Sequence, residues 1–102
     1  AVLKPNIVLV ESPSLIGTGE RKEADTKEIT LINKTIREID PKIAIMHSAG
    51  IHDEQDVYEI IMAGADACGS TSGIIKAKEP FVMFEQMIDA MCRAWKDRAR
   101  NN

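Results

Sequence analysis

An acidic residue at the end of an apolar run is the first candidate for chemistry in this sequence. Glu11 follows the apolar residues 7–10 and precedes a loop that contains Pro13, Gly17 and Gly19. A carboxylate at the end of a strand in a parallel α/β fold can act as a general base. The alternative is a solvated acid that ends a strand, and position alone favours that alternative.

Two turns of small residues are candidate phosphate-binding sites. They are Ser48-Ala49-Gly50 and Thr71-Ser72-Gly73. Turns of this kind direct backbone N–H groups towards an anion. Loops between strands and helices also need small residues for geometric reasons. The turns taken alone therefore leave phosphate binding open.

Three units, each a short apolar strand, a loop and an amphipathic helix, position these residues. The predicted strands cover residues 6–10, 43–46 and 67–70. Such alternation predicts a parallel βαβ arrangement. The unbroken apolar run of the first strand is typical of a strand that is covered on both faces. Function is then expected at the C-terminal ends of the strands.

Caps and apolar periodicity predict three helices. Asp25 or Thr26 is the candidate cap of the first, Asp53 caps the second, Gly64 stops the second, and the third starts near Pro80. The residues predicted to face the core recur at helical spacing. They are Ile29, Ile32, Ile36 and Ile39 in the first helix, Val57, Ile60 and Ile61 in the second, and Phe84, Met87, Ile88, Met91, Cys92 and Trp95 in the third.

The bulk composition fits one folded domain over residues 1–102. The chain is 44% apolar and 28% charged, with a net charge of −3, which argues against disorder and against nucleic-acid binding. Cys68 and Cys92 lack metal-ligand spacing and are predicted to be reduced and buried. His47 and His52 are interpreted as surface or capping residues. No apolar segment has the length of a membrane span and no signal-peptide pattern is seen. Together with the reduced cysteines, this predicts a cytoplasmic protein.

Three blocks, in the same order and spacing, resemble one enzyme family. The segment from Val10 to Gly19 reads Val-Glu-Ser-Pro-Ser-Leu-Ile-Gly-Thr-Gly and is similar to the lid motif of triosephosphate isomerases. Ser48-Ala49-Gly50-Ile51 and the segment 72–78, Ser-Gly-Ile-Ile-Lys-Ala-Lys, resemble the later turns of the archaeal members. The resemblance covers nearly the whole chain, up to Trp95.

The resemblance implies a fold and a role for each matched residue. It implies parallel strands with outer helices, as in the C-terminal three βα units, six to eight, of a TIM (β/α)8 barrel. Glu11 resembles the base that moves a proton between the two carbons of a phosphorylated triose. Gly17 in the lid, Ser48, Ala49 and Gly50 in one turn, and Thr71 and Ser72 in the next resemble the backbone phosphate donors. The implied glycolytic and gluconeogenic isomerase needs no metal ion and no organic cofactor.

Some positions depart from the family pattern. Ser12 and Ser14 replace a proline and a glutamate in the lid, and His47-Ser48 replaces Cys-Gly. The resemblance also leaves out the first five strands, which carry the family's electrophilic histidine. Three strands leave two open edges and an uncovered inner face. We therefore expect a homo-oligomer or pairing with an N-terminal barrel portion.

Two alternatives remain open at this stage. One is a non-catalytic phosphate-binding fragment or assembly module that lacks the electrophile. The other is a different phosphate-binding barrel enzyme, because such barrels share their last two loops. The glutamate and the Ile-Gly-Thr-Gly lid favour the isomerase over the second alternative, since a general phosphate barrel needs neither.

Overall fold

A computed structural model describes residues 5–11, 23–48 and 50–101 of the chain. The three predicted strands and three predicted helices follow one another in the expected order, and a short helix that was not predicted precedes the last one. The elements are β1 Ile7–Glu11, α1 Glu23–Ile39, β2 Ala44–Ser48, α2 Glu54–Met62, β3 Ala67–Gly69, α3 Ser72–Ile75 and α4 Pro80–Asn101. The strands form one parallel sheet in the order β1-β2-β3. The molecule is thus an α/β structure that is consistent with part of a TIM barrel.

Several element boundaries differ from the predicted ones. Strand β2 continues through His47 and Ser48, which were predicted to lie in a loop, because Glu11 and Ser48 are still paired across the ladder. Helix α1 begins at Glu23, so Asp25 lies inside it and is not its cap. A four-residue helix, α3, replaces part of the predicted loop after β3.

The outer face of the sheet is buried. Ile43, Ile45 and His47 are each at most 3% exposed, and they alternate with more exposed residues along the chain, as the two-residue period of a strand requires. Helices α2 and α4 pack on each other and form a cluster of buried apolar side chains. The predicted face of α2 is confirmed, because Val57, Ile60 and Ile61 are all buried.

The inner face of the sheet is open. Ile7 and Leu9 on β1 are 63% and 55% exposed. The continuous apolar run of β1 had predicted a strand covered on both faces, but within the described residues nothing covers this one. An uncovered inner face was the other expectation from the sequence, and the described residues leave these two side chains exposed.

Polar contacts attach α1 to the sheet. Arg37 donates to the carbonyl oxygens of Ile43 and Gly64 and forms a 2.7 Å ion pair with Asp66. The same Asp66 oxygen accepts from the backbone N–H of Ile45 at 2.8 Å. These bonds satisfy backbone groups at the start of β2 and after α2, which would otherwise be left without partners at the ends of those elements.

The apolar faces of α1 and α4 are narrower than their patterns predict. Ile39 on α1 is exposed, and Asn33 is that helix's most buried described residue. On α4, Met87, Ala90 and Ala94 are buried, whereas Phe84, Ile88, Cys92 and Trp95 are exposed. Small alanines let α4 approach α2 closely, and the large residues beside them are turned away from that contact.

Both predicted ends of α2 are observed. Asp53 accepts from the backbone N–H of Asp56 at 3.0 Å and so caps the helix. Gly64 follows the helix with φ of 111°, a conformation that glycine adopts without strain. No helix among the described residues is both long and apolar enough to cross a membrane.

Candidate functional site

The C-terminal ends of the three strands bring one row of residues together. The ladder pairs Glu11 with Ser48 and Ser48 with Gly69. Residues paired across a parallel ladder project to the same face. This row lies on the open inner face, because the opposite face carries Ile45 and His47 in the core. The carboxylate of Glu11 therefore lies at the same end of the sheet as the loops that follow β2 and β3.

The Glu11 carboxylate has a defined partner in the row. The Ser48 hydroxyl donates to Glu11 Oε1 at 2.7 Å, and both side chains are accessible to solvent. That length is typical of a hydroxyl donating to a charged carboxylate. Sequence reasoning assigned Ser48 to a phosphate-binding turn and did not find this contact, which joins residues 37 positions apart.

The loops after β2 and β3 are attached to each other. The Ser70 hydroxyl donates to the carbonyl oxygen of Ile51 at 2.9 Å. A Cβ at position 73 would meet that same carbonyl oxygen and lie 2.6 Å from Ser70 Oγ. Only glycine therefore permits the approach at Gly73. The two turns proposed from the sequence as phosphate sites form one packed unit beside the row.

The turn after β2 has a backbone shape that depends on glycine and on the α2 cap. Gly50 is buried and has φ of 73°, a left-handed conformation that side chains disfavour. Two residues later, the backbone N–H of His52 donates to Asp56 Oδ2 at 2.8 Å. With the Asp53 cap, this bond fixes the path from β2 into α2.

The turn after β3 is helical. Thr71 precedes α3, and its carbonyl oxygen accepts from the N–H groups of Ile74 and Ile75. Ser72 is the first residue of this helix. The first amides of a helix have no acceptor within it, and this turn remains a predicted phosphate site. Thr71 and Ser72, both predicted phosphate residues, are exposed here.

Two of the predicted site residues lie outside the described part of the chain. They are Gly17, in the predicted lid, and Ala49, between Ser48 and Gly50. The lid substitutions Ser12 and Ser14 lie in the same undescribed segment, residues 12–22. Among the described residues, the structure gathers Glu11, Ser48, Gly50, Thr71 and Ser72 at one end of the sheet.

The histidines do not contribute to this site. His47 is 3% exposed on the outer face, which corrects its interpretation as a surface or capping residue. Its Nε2 lies 2.6 Å from Asn33 Oδ1, and the Asn33 amide donates to the Ala63 carbonyl oxygen. Nε2 therefore carries the proton, and burial lowers the pKa of His47 below its ordinary 6.5. His52, in contrast, is exposed.

The Cys68 thiol is not an activated nucleophile. Cys68, half-buried on β3, has its pKa raised to about 11 by burial, so the unreactive thiol form dominates at neutral pH. Cys92 is exposed on α4, which corrects the prediction that both cysteines are buried. The described residues contain no group of three or more His, Cys, Asp or Glu side chains placed to hold a metal ion.

Comparisons with known proteins connect this geometry to one enzyme. No family model matches the chain. A curated triosephosphate isomerase of Sulfolobus acidocaldarius is 38% identical over 103 residues, and one of Metallosphaera sedula is 38% identical over 99 residues. Each match covers 96% of this chain, which spans 43% of the length of each of these relatives. The matches confirm the resemblance to archaeal triosephosphate isomerases.

A solved structure shows a similar fold. A chain in the crystal structure of the Amycolatopsis orientalis BexX/CysO complex has a TM-score of 0.73 to this one and is 19% identical. The match covers 94% of this chain and 36% of that chain. At this identity the likeness supports the α/β fold alone.

Proposed function

We propose, from the premise that this chain is a relative of archaeal triosephosphate isomerases over nearly its whole length, that it carries the base and the phosphate-binding turns of that enzyme. The reaction is the interconversion of dihydroxyacetone phosphate and glyceraldehyde 3-phosphate, in glycolysis and gluconeogenesis in the cytoplasm. The chain corresponds to βα units six to eight of a (β/α)8 barrel and forms a single domain over residues 1–102.

The observation that carries the proposal is the placement of Glu11. It ends β1 on the inner face, in one row with Ser48 and beside the joined loops of Ile51 and Ser70. A carboxylate and two turns that are proposed to bind an anion, at one end of a parallel sheet, can hold the two ends of a small phosphorylated substrate. In this arrangement the phosphate is anchored and the carboxylate reaches a carbon beside the carbonyl group.

In the proposed reaction, Glu11 takes a proton from the carbon next to the carbonyl group. It returns the proton to the neighbouring carbon, so that the carbonyl and hydroxyl groups exchange places and no atom is gained or lost. Backbone N–H groups of Ser48, Ala49 and Gly50, of Thr71 and Ser72, and of Gly17 in the lid are proposed to bind the phosphate. His47 does not take the role of the electrophile in this proposal, because it is buried on the other face.

The electrophile must therefore come from another part of the barrel. The open inner face, with Ile7 and Leu9 exposed, supports pairing with an N-terminal barrel portion of the kind that makes up the rest of the relatives' length. The substrate is small and the barrel interior must be closed to exclude water. The expected working form therefore covers the inner face, with the rest of a longer polypeptide, with a separate N-terminal portion or with further copies of this chain.

The test is an isomerase assay with a matched substitution. The chain is assayed alone and after mixing with part of an archaeal relative. That part is the relative's N-terminal portion, which lies outside the segment that matches this chain. We expect turnover from the mixture, and a reduction of about 10²-fold to 10⁴-fold in Glu11→Gln. Glu38→Gln, an exposed glutamate on α1, is the control and should leave turnover unchanged.

Two outcomes would contradict the proposal. Equal turnover of the wild type and Glu11→Gln would remove Glu11 from the role of base. A folded mixture that binds inorganic phosphate and shows no turnover would leave the chain as a phosphate-binding module.

A further inference from the structure

The Ser48 hydroxyl has one possible side-chain acceptor in the row formed by Glu11, Ser48 and Gly69. Gly69, on the other side of Ser48, has no side chain. A Cβ there would lie 2.9 Å from Met46 Cε and 3.8 Å from the Cβ of Ser48, so the row is closely packed on that side. Within the row, the Glu11 carboxylate is the one side-chain acceptor for the Ser48 hydroxyl, at 2.7 Å.

This bond selects one oxygen of the carboxylate. The Ser48 hydroxyl occupies Oε1, and Oε2 remains for another partner. A glutamate at a strand end otherwise rotates about three side-chain bonds, and holding it in one arrangement costs conformational entropy. A hydroxyl on the neighbouring strand supplies that restraint before the substrate binds.

We propose that Ser48 is a positioning residue, which holds Glu11 Oε1 so that Oε2 takes and returns the proton. The proposal rests on the proposed function, in which Glu11 is the base. It goes beyond the family resemblance, because the matching family position is glycine, which has no hydroxyl to donate. In this chain the serine side chain thus adds a role to a turn that the resemblance assigns to backbone phosphate binding.

The first test measures the contact without any need for turnover. The full chain is labelled with ¹³C at the glutamate side-chain carboxyl carbons, and the Glu11 resonance is identified by its loss in Glu11→Gln. We expect Ser48→Ala to move this resonance and Ser48→Thr, which keeps the hydroxyl, to restore it. Thr35→Val is the matched control, since Thr35 donates its hydroxyl to the Leu31 carbonyl oxygen within α1, and it should leave the resonance in place.

The second test measures positioning in the active mixture described above. Loss of a hydrogen bond to a charged group predicts that Ser48→Ala lowers kcat by about 10-fold to 100-fold. KM should stay within about twofold, because Ser48→Ala keeps the backbone N–H that is proposed to bind the phosphate, so uniform binding is unchanged. Ser48→Thr should recover most of kcat, which a loss of packing alone would not allow.

The outcomes separate this proposal from the proposed function. An unmoved Glu11 resonance in Ser48→Ala overturns the positioning role, even where Glu11→Gln abolishes turnover. A moved resonance with full kcat in Ser48→Ala also overturns it, because the contact then has no effect on the reaction. Full turnover in Glu11→Gln overturns the proposed function instead, whatever the resonance shows.

Discussion

The two faces of the three-stranded sheet differ in how far their side chains are buried. On the outer face, Ile43 and Ile45 are buried beneath the helices. On the inner face, Ile7 and Leu9 expose more than half of their surface, although they are equally apolar. Residue type alone therefore does not decide burial here. The helices that cover the outer face are part of this chain, whereas no described residue covers the inner face.

The face that holds the candidate site is thus the one that the described residues leave open. Glu11 and Ser48 project from it. An open face does not exclude water from a carboxylate, and it offers the substrate one wall only. We expect stability to be concentrated on the outer face and function to depend on what covers the inner one.

The largest expected effect compares two apolar truncations, one on each face. Ile45→Ala removes a side chain that is 0% exposed and should cost about 2–5 kcal/mol of unfolding free energy. Leu9→Ala on the open face should cost less than about 0.5 kcal/mol. Urea unfolding at low protein concentration measures both changes.

The same pair of variants also tests whether the inner face is covered. If Leu9→Ala costs as much as Ile45→Ala, the inner face is buried in solution and the contrast between the faces is wrong. Repeating the unfolding of Leu9→Ala with the N-terminal barrel portion present sharpens the comparison. Its cost should then rise towards that of a buried position.

A smaller effect is expected from the buried polar pair of the outer face. Asn33→Ala removes the partner of His47 Nε2 and of the Ala63 carbonyl oxygen. Leaving buried polar groups without partners should cost about 1–3 kcal/mol. Lys34→Ala, at an exposed neighbouring position, is the control and should stay within about 0.5 kcal/mol. Equal denaturation midpoints for the two variants would show that the pair contributes nothing to the outer face.

The smallest expected effect is a dependence of stability on pH. Burial lowers the pKa of His47 from 6.5 in the folded chain. As pH falls below that ordinary value, the unfolded chain binds a proton that the folded chain does not. Unfolding free energy is therefore lost as pH falls from about 6.5 towards the folded pKa, by at most about 1.4 kcal/mol per pH unit. It is fully retained above this window.

The comparison variant for this effect is His47→Gln. Glutamine does not titrate, and its amide can still donate to Asn33. Unfolding measured at several pH values below neutral should show a shallower pH dependence in His47→Gln than in the wild type. The carboxylates and His52 are present in both chains, so their contributions to the pH dependence cancel when the two slopes are compared. If the two slopes are identical, burial does not hold His47 in its neutral form in the folded state.

Local patterns predicted most of the elements correctly. The Asp53 cap, the Gly64 stop and the start of α4 at Pro80 all agree with the structure. Each depends on residues within a few positions of one another, so the chemistry that specifies them is visible in a short stretch of sequence. The predicted burial of α4 was partly wrong. Apolar residues occupy a wide stripe on this helix, and the pattern does not indicate which part of the stripe a neighbouring helix covers.

The site was predictable in part for the same reason. The position of Glu11 at a strand end and the small residues of the two turns are local signals. The bond from Ser48 and the close approach at Gly73 are not, because they join different βα units. The role of Asn33 was also missed, since a polar residue on a mostly apolar helix face gives no local sign of its partner.

The sequence by itself determined the three strands and the three longer helices, though not the short helix α3. It also determined that the strands run parallel and that an acid and two small-residue turns lie at their ends. These properties follow from period, caps and connection length, which are short-range. Only the tertiary structure decided that Ser48 contacts Glu11, that His47 is buried against Asn33, and that one face of the sheet is covered and the other open. Those facts depend on strand register and helix docking, because a shift of one residue would turn each of these side chains to the opposite face.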